Sequence, residues 1–260
     1  KNYFSNSEWT APSFYSFFNS KYSSSHGMFD FKFSKNIKDP TEGDNLLKYF
    51  KENNFFSLGI SRSKGNHPGF QFQKYFDRLF YFPNYKGQIK EKDYEQKIIE
   101  HLEANSTGKN FVFVHYTSSH TPFDEPSINE DVNFPTKRIG DTYLDYKQSI
   151  VGEGTSKIEK IINPEKLDNI NLRMQERLSS IDLSLSKLYG YIDKKIKDKT
   201  MVLITSDHGL NHIKSKEDGF LNKERINVPL RIFHPKFESK YSVNNFISSI
   251  DIYRLIKNLI

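Results

Sequence analysis

An apolar, strand-like run that stops at an acid and a histidine is the feature that most restricts how this chain can fold. Residues 201–209 read Met-Val-Leu-Ile-Thr-Ser-Asp-His-Gly. Such a run is typical of a strand buried on both faces of a parallel sheet. Ligands of open α/β sheets bind just beyond the carboxyl ends of the strands, where Asp207 and His208 would offer an oxygen and a nitrogen donor to a divalent metal. A surface turn after a core strand is the alternative interpretation.

The other apolar patterns place strands and helices in alternation along the chain. Strands are predicted over 55–60, 111–115 and 228–233, and helices from Pro12, from 44, over 94–104, over 172–196 and from 250. This alternation indicates an α/β fold with a mostly parallel central sheet sandwiched by helices. The polar stretch 124–154 has no firm periodicity, and we predict that it is a loop insertion.

The composition indicates one aromatic-rich domain over residues 1–260. A hydrophobic share of 36% is enough for a sizeable core, and the 23 Phe and 15 Tyr indicate that rings fill much of it. The absence of Cys excludes disulfides, thiolate zinc sites and Cys nucleophiles. No apolar run approaches the roughly 20 residues that span a bilayer. Because the chain starts at Lys1 rather than Met and stops at Ile260 within a helical pattern, we expect it to be truncated at both ends.

The charge balance does not indicate a nucleic-acid-binding protein. Lys and Arg number 38 against 32 Asp and Glu, which gives a formal net charge of +6. Acidic residues interrupt the basic runs, as is typical of a solvated surface, so we expect no nucleic-acid binding. The mild positive balance would suit an anionic substrate.

Thr10 stands where the sequence predicts the start of a helix. Pro12 fits the first helical turn, and Thr10 just before it fits an N-terminal capping position. A hydroxyl at that place faces free N–H groups and the positive end of the helix dipole, which hold an anion and favour an alkoxide nucleophile. An ordinary helix cap is the alternative interpretation.

Several motifs, in this order along the chain, resemble the sulfatase and alkaline-phosphatase superfamily, and more closely its sulfatase-like hydrolases and transferases. Thr10-Ala-Pro-Ser, followed by His26-Gly27, is similar to the nucleophile loop and helix of that family. His120-Thr-Pro resembles its His-x-Pro turn, and Ser206-Asp-His-Gly resembles its metal motif. Val228-Pro-Leu is similar to the strand that follows the metal motif.

The resemblance implies an alkaline-phosphatase-like fold and a set of roles. One divalent metal ion (Mn, Zn, Mg or Ca) would be bound by Asp207, His208 and Thr10, and Thr10 would be the nucleophile that forms a covalent intermediate. His120 would contact the substrate or protonate the leaving group, although a structural hydrogen bond is the alternative for this residue. The further substrate-binding candidates are His115, for which a structural role is equally compatible, and His212 and Lys216.

Two departures from the family pattern refine these expectations. True sulfatases carry a Cys or Ser that becomes formylglycine, with an Arg after the Pro-Ser pair, whereas this chain has Thr10 and Phe14. A Thr nucleophile is typical of members that transfer phospho groups, such as lipoteichoic-acid synthases and phosphoethanolamine transferases, and it favours phosphate esters. The first strand of the family, which brings an Asp or Glu to the metal, would precede Lys1 and be missing. We therefore predict weak metal binding by these 260 residues alone.

Three classes of function follow, in decreasing order of support. The first is a metal-dependent hydrolase or transferase acting on a phosphate or sulfate ester of a glycan or lipid head group, in a periplasmic or other extracytoplasmic compartment. The second is a non-catalytic relative that serves as a glycan-binding or scaffold module, with aromatic residues stacking on sugars. The third is a nucleic-acid-binding module, whose affinity would fall steeply with salt.

Overall fold

The computed structural model describes residues 2–28, 43–61, 72–81, 93–120, 164–209, 223–237 and 244–260. These residues belong to two compact units. The first unit is formed by Lys1–Gln88, Glu100–His115 and Ile192–Ile260, and the second by Ile89–Ile99 and Tyr116–Tyr191. The predicted insertion at 124–154 lies outside the described residues.

Helices and strands alternate through the described part of the chain, as the apolar patterns predict. Its strands are β1 (Tyr3–Phe4), β2 (Phe55–Ser61), β3 (Arg78–Tyr81), β4 (Lys109–His115), β5 (Val202–Thr205), β6 (Leu230–Phe233) and β7 (Ile247–Ser248). Its α-helices are α1 (Thr10–Asn19), α2 (Ser23–His26), α3 (Leu46–Glu52), α4 (Tyr94–Ala104), α5 (Pro164–Lys195), α6 (Lys223–Ile226) and α7 (Ile252–Leu259).

The strand pairings of the first unit are mostly parallel. β2 lies between β3 and β4 and runs parallel to both, so Leu58 stands opposite Arg78 on one side and Val112 on the other. β1 and β7 form a second, short parallel pair. β6 is the exception, since it runs antiparallel to β5. The predicted α/β class is therefore confirmed.

The prediction that the 111–115 and 201–205 runs are fully buried strands is wrong for the described residues. Leu58 and Ile60 of β2 are at most 1% exposed, whereas every residue of β5 and all but the exposed first residue of β4 are only partly buried. β2 is paired along both edges, but in the described part of the chain β4 and β5 are each paired along one edge only. The open edge leaves surface accessible that an apolar sequence pattern cannot report.

Aromatic rings form the core around α1, as the composition predicts. The Phe18 ring meets the Phe72 ring edge-on with centroids 5.0 Å apart, and the Phe14 and Phe113 rings meet edge-on at 5.5 Å. Edge-to-face pairs contribute about 0.5–1.5 kcal/mol beyond the burial of their area. The core thereby holds α1 against β4, which ends at the candidate site.

Most of the described residues of the second unit belong to α5, whose buried face is polar. Arg173, Glu176 and Arg177 are buried, and Arg173 Nη1 lies 3.1 Å from Glu176 Oε2. Ile181 and Leu185, whose spacing is typical of the apolar face of a helix, are only partly buried here. Among the residues described, we find no helix that combines the length and the apolarity needed to cross a bilayer.

Candidate active site at the start of helix α1

Thr10 is the first residue of α1, not its cap. Trp9 occupies the N-cap position with extended backbone angles (φ −128°, ψ 142°), and its side chain forms no capping hydrogen bond. The Trp9 carbonyl accepts the Ser13 N–H at 3.1 Å, which starts the helical hydrogen bonding one residue earlier than predicted. Thr10 is 6% exposed and lies at the positive end of the helix dipole, so the expected electrostatic setting for its hydroxyl is kept.

The structure brings Thr10 next to Asp207 and His208, the residues that follow β5. Thr10 Oγ1 lies 3.3 Å from His208 Nε2, although 198 positions separate the two residues. His208 Nε2 lies 3.5 Å from Asp207 Oδ2, and each of these two side chains is 11% exposed. A hydroxyl, an imidazole nitrogen and a carboxylate oxygen therefore meet in one largely buried corner.

The hydrogen bond at His208 Nδ1 decides whether Nε2 presents a proton or a lone pair to Thr10. His208 Nδ1 lies 2.9 Å from the Gly209 carbonyl oxygen. A carbonyl only accepts hydrogen bonds, so Nδ1 carries a proton, and in the neutral ring Nε2 keeps its lone pair. That lone pair faces Thr10 and Asp207, where it can bind a metal ion or accept the hydroxyl proton.

Asp207 is ionised in this corner and has one oxygen to which no described residue donates a hydrogen bond. Burial by itself would raise the pKa of Asp207, but the His208 and His115 rings, the Thr10 hydroxyl and the His208 backbone N–H together lower the pKa below its usual value. Oδ1 accepts the His208 N–H at 3.0 Å. Oδ2 is buried and accepts no hydrogen bond from the residues that the structure describes. An unsatisfied buried carboxylate oxygen is a donor atom available to a cation.

The spacing of these donor atoms fits a shared divalent metal ion. Two ligands held at about 2.1 Å by a tetrahedral ion lie about 3.4 Å apart, close to the 3.3 Å and 3.5 Å separations in this corner. Within the described ranges, no group of three or more His, Asp or Glu residues has metal-site geometry. Asp207, His208 and the Thr10 hydroxyl thus fit a divalent ion without completing four-fold coordination.

The remaining predicted site residues have different positions. His115 ends β4, and its Nε2 lies 3.8 Å from Asp207 Oδ2 while the Phe14 ring meets the imidazole edge-on. His120 belongs to the second unit, where its side chain is exposed and its backbone N–H donates to the Thr117 carbonyl at 2.9 Å. The other two predicted residues, His212 and Lys216, lie outside the described residues.

Sequence reasoning missed a group of buried serines that support the corner. Ser5 Oγ lies 2.8 Å from the Ser7 carbonyl and 3.1 Å from Ser13 Oγ, and it also contacts the backbone carbonyl of Asp207. These contacts join the segment before α1 to the end of β5. Ser13 belongs to the Thr-Ala-Pro-Ser motif, but Ser5 carries no local signal because its partner Asp207 is 202 positions away.

Trp9 differs from all its neighbours at the start of α1. All residues from Ser7 to Ser16 except Trp9 are buried, whereas Trp9 is 47% exposed. It is also the one Trp of the chain. A large ring in contact with solvent therefore stands directly before Thr10.

Comparisons with known proteins show the family and the fold of this chain. The chain matches the family model described as Sulfatase over residues 1–259. A search of curated protein sequences finds no significant match.

Solved structures from three enzymes share the fold at low sequence identity. The lipoteichoic acid synthase LtaP from Listeria monocytogenes is 17% identical with a TM-score of 0.61, and the match covers 100% of this chain and 62% of LtaP. A phosphonate monoester hydrolase of Agrobacterium radiobacter is 16% identical with a TM-score of 0.71, over 99% of this chain and 66% of the hydrolase. BT4656, solved with its substrate D-glucosamine-2-N,6-O-disulfate, is 16% identical with a TM-score of 0.66, over 100% of this chain and 68% of BT4656.

The chain thus spans less than two thirds of the length of the first two of these structures. The family match nevertheless runs from residue 1 to residue 259 and includes the Thr10, Asp207 and His208 corner. The chain belongs to the sulfatase family.

Proposed function

We propose that this chain is the catalytic domain of a hydrolase or transferase that acts on phosphate esters, or on sulfate esters, through a covalent intermediate on Thr10. The observation that carries the proposal is the corner in which the Thr10 hydroxyl lies 3.3 Å from an imidazole nitrogen with a free lone pair. A neighbouring ionised carboxylate, that of Asp207, has an oxygen that accepts no hydrogen bond from the described residues. The Thr at this position favours phosphate over sulfate, because formylglycine forms only from Cys or Ser.

The residues of the corner would each take a defined part in the transfer. The Thr10 hydroxyl gives up its proton to water, its oxygen attacks the phosphorus, and the bond to the leaving alcohol breaks. The alcohol departs with a proton for which His120 is the predicted donor. The start of α1 stabilises negative charge on the Thr10 oxygen and on the transferred group. In the second step water, or an acceptor alcohol, takes the group from Thr10.

A divalent metal ion held by Asp207, His208 and Thr10 would lower the pKa of the hydroxyl and neutralise charge on the transferred group. Asp207 Oδ2, to which no described residue donates a hydrogen bond, and the lone pair of Nε2 in the neutral His208 ring support this assignment. Divalent-metal dependence is a general property of the superfamily. Roles for His115, His212 and Lys216 in substrate binding remain predictions.

The substrate class we propose is an anionic ester on a glycan or a lipid head group. Two structural neighbours are described with anionic esters, a phosphonate monoester and D-glucosamine-2-N,6-O-disulfate. The formal net charge of +6 suits such a ligand. The alternative of a non-catalytic glycan-binding or scaffold module predicts a full-length protein without bound metal, which metal analysis would reveal.

Trapping the intermediate tests the proposal directly. The full-length protein is mixed with a chromogenic phosphodiester and quenched in acid, and its peptides are analysed by mass spectrometry. We expect Thr10 to carry one added phosphoryl group that keeps the remaining ester substituent of the diester, and we expect no such adduct in the Thr10→Ala variant. Turnover with the group on another residue, or undiminished turnover by Thr10→Ala, would contradict the nucleophile assignment.

A further inference from the structure

Arg225 ties the segment that carries Thr10 to the segment that carries His208. It lies in α6, and its guanidinium pairs with the carboxylate of Glu8, two residues before Thr10. Its backbone carbonyl accepts the Gly209 N–H at 2.6 Å, one residue after His208. One residue therefore holds both sides of the corner, through its side chain and its main chain.

Burial makes the side-chain contact a strong constraint. The Glu8 side chain is 6% exposed and that of Arg225 is 19% exposed. A carboxylate with so little contact to water is costly unless it is paired and hydrogen-bonded. Guanidinium–carboxylate hydrogen bonds are also directional. The pair therefore fixes the position of the segment that leads into α1.

We propose that the Glu8–Arg225 pair is a positioning device that sets the distance between the Thr10 hydroxyl and the Asp207–His208 pair. The inference rests on the proposed function, since its consequence is for the transfer step. Neither side chain has to touch the transferred group, because both act through the main chain beside the corner. A nucleophile misplaced by about 1 Å can lower the rate about 100-fold.

A second set of contacts would keep the segment before α1 attached if the Glu8–Arg225 pair were lost. Ser5 N donates to the Ile226 carbonyl at 2.7 Å, and Val228 N donates to the Tyr3 carbonyl at 3.2 Å. These bonds join the same two regions without using charge. Loss of the Glu8–Arg225 pair is therefore expected to shift Thr10 without releasing the segment from the unit.

A double-mutant cycle in the full-length protein tests the pair. We expect Glu8→Gln and Arg225→Met each to lower kcat about 10- to 100-fold on a chromogenic phosphodiester, with KM changed less than about 2-fold. The double variant should lose no more activity than Arg225→Met alone, because the pair acts as a unit.

Arg225→Lys should recover part of the loss in kcat, and Arg231→Met on the exposed face of β6 is the matched control. Losses that multiply in the double variant, or a change in KM alone, would overturn the proposal.

A second readout does not depend on turnover. Amide hydrogen exchange followed by mass spectrometry should show faster exchange in peptides covering 5–10 and 207–209 for Arg225→Met, but not for Arg231→Met. If the wild-type protein turns over no ester, the proposed function fails while this measurement still decides on the pair. Unchanged exchange in both segments would overturn the positioning role.

Discussion

Helix α1 carries two hydroxyl–histidine pairs that are almost equal in distance and different in chemistry. Thr10 Oγ1 lies 3.3 Å from His208 Nε2 at the start of the helix. Ser16 Oγ lies 3.1 Å from His26 Nε2 further along the same helix. A search for a hydroxyl near an imidazole would find both, so distance alone does not identify a catalytic pair.

The far nitrogen of each ring separates the two pairs. His208 Nδ1 faces the Gly209 carbonyl and must donate, which leaves the lone pair of Nε2 toward Thr10. His26 Nδ1 instead accepts a hydrogen bond from the Met28 N–H at 3.1 Å. Nε2 therefore carries the proton and donates a hydrogen bond to Ser16 Oγ. The first hydroxyl meets a base or a ligand atom, and the second meets a hydrogen-bond donor.

The surroundings reinforce this difference. The carboxylate of Asp207 lies beside the first pair. The second pair sits against the Tyr15 ring, and burial, with a smaller effect of the Lys21 charge, lowers the pKa of His26 to about 4. The comparison teaches that the main-chain partner of the outer nitrogen and the nearest charge decide whether such a pair can do chemistry.

The largest difference should appear in turnover. Thr10→Ala is expected to lower kcat by about 10⁴-fold or more, because the attacking oxygen is lost. Ser16→Ala should change kcat by less than about 3-fold, because Ser16 only accepts a hydrogen bond in the core. Steady-state kinetics on a chromogenic ester, with circular dichroism to verify folding, provides the measurement. Comparable losses in the two variants would erase the distinction between the pairs.

Substitutions at the two pairs should also differ in their effect on metal affinity. Asp207→Asn replaces a charged ligand by a neutral amide, and we expect it to weaken Mn²⁺ or Zn²⁺ binding more than about 100-fold in the full-length protein. His26→Gln is the control, because the second pair has no role in binding the ion. Isothermal titration calorimetry on both variants checks the expectation. Retained affinity in Asp207→Asn would remove Asp207 from the ligand set.

Low pH should reduce the folding stability of the protein through His26 of the second pair. The unfolded chain protonates His26 near its ordinary pKa of 6.5, but the folded chain protonates it only near pH 4. Stability is therefore lost as pH falls below 6.5 toward 4, by about 2 kcal/mol between pH 7.5 and pH 5. Urea unfolding at the two pH values should show this loss in the wild type and less of it in His26→Gln. Equal pH dependence in both proteins would contradict the buried, neutral state of His26.

The smallest effect concerns Ser16 itself. Ser16→Ala should reduce the free energy of unfolding by about 1 kcal/mol, because it leaves the buried His26 Nε2–H without its acceptor. Urea unfolding at pH 7.5 measures the change. A variant as stable as the wild type would mean that this hydrogen bond adds nothing to folding.

The candidate corner could be anticipated because both of its halves carry local signals. The Asp-His-Gly sequence interrupts an apolar run at 207, and Pro12 with the Phe residues after it indicates a helix that starts near Thr10. The parallel strands follow from the alternation of strand and helix patterns, and the aromatic core follows from the composition. The cap was misplaced by one residue because Trp9, not Thr10, adopts the extended conformation of the N-cap.

What could not be anticipated depends on contacts between distant parts of the chain. Glu8 and Arg225 are 217 positions apart, and nothing in either local sequence announces the pair. The partial burial of β4 and β5 depends on which strands lie beside them, not on their own apolarity. In α5 the buried Arg173 and Arg177 reverse the usual rule that charged residues face water.

The exposed ring of Trp9 gives the corner an optical property. Because the chain has one Trp, its indole emission has one source, directly before the proposed nucleophile. Loading of a cation, arrival of an ester or local unfolding of this corner would each alter the environment of that fluorophore. The protein thus contains a native, label-free reporter at the place where its chemistry is proposed to occur.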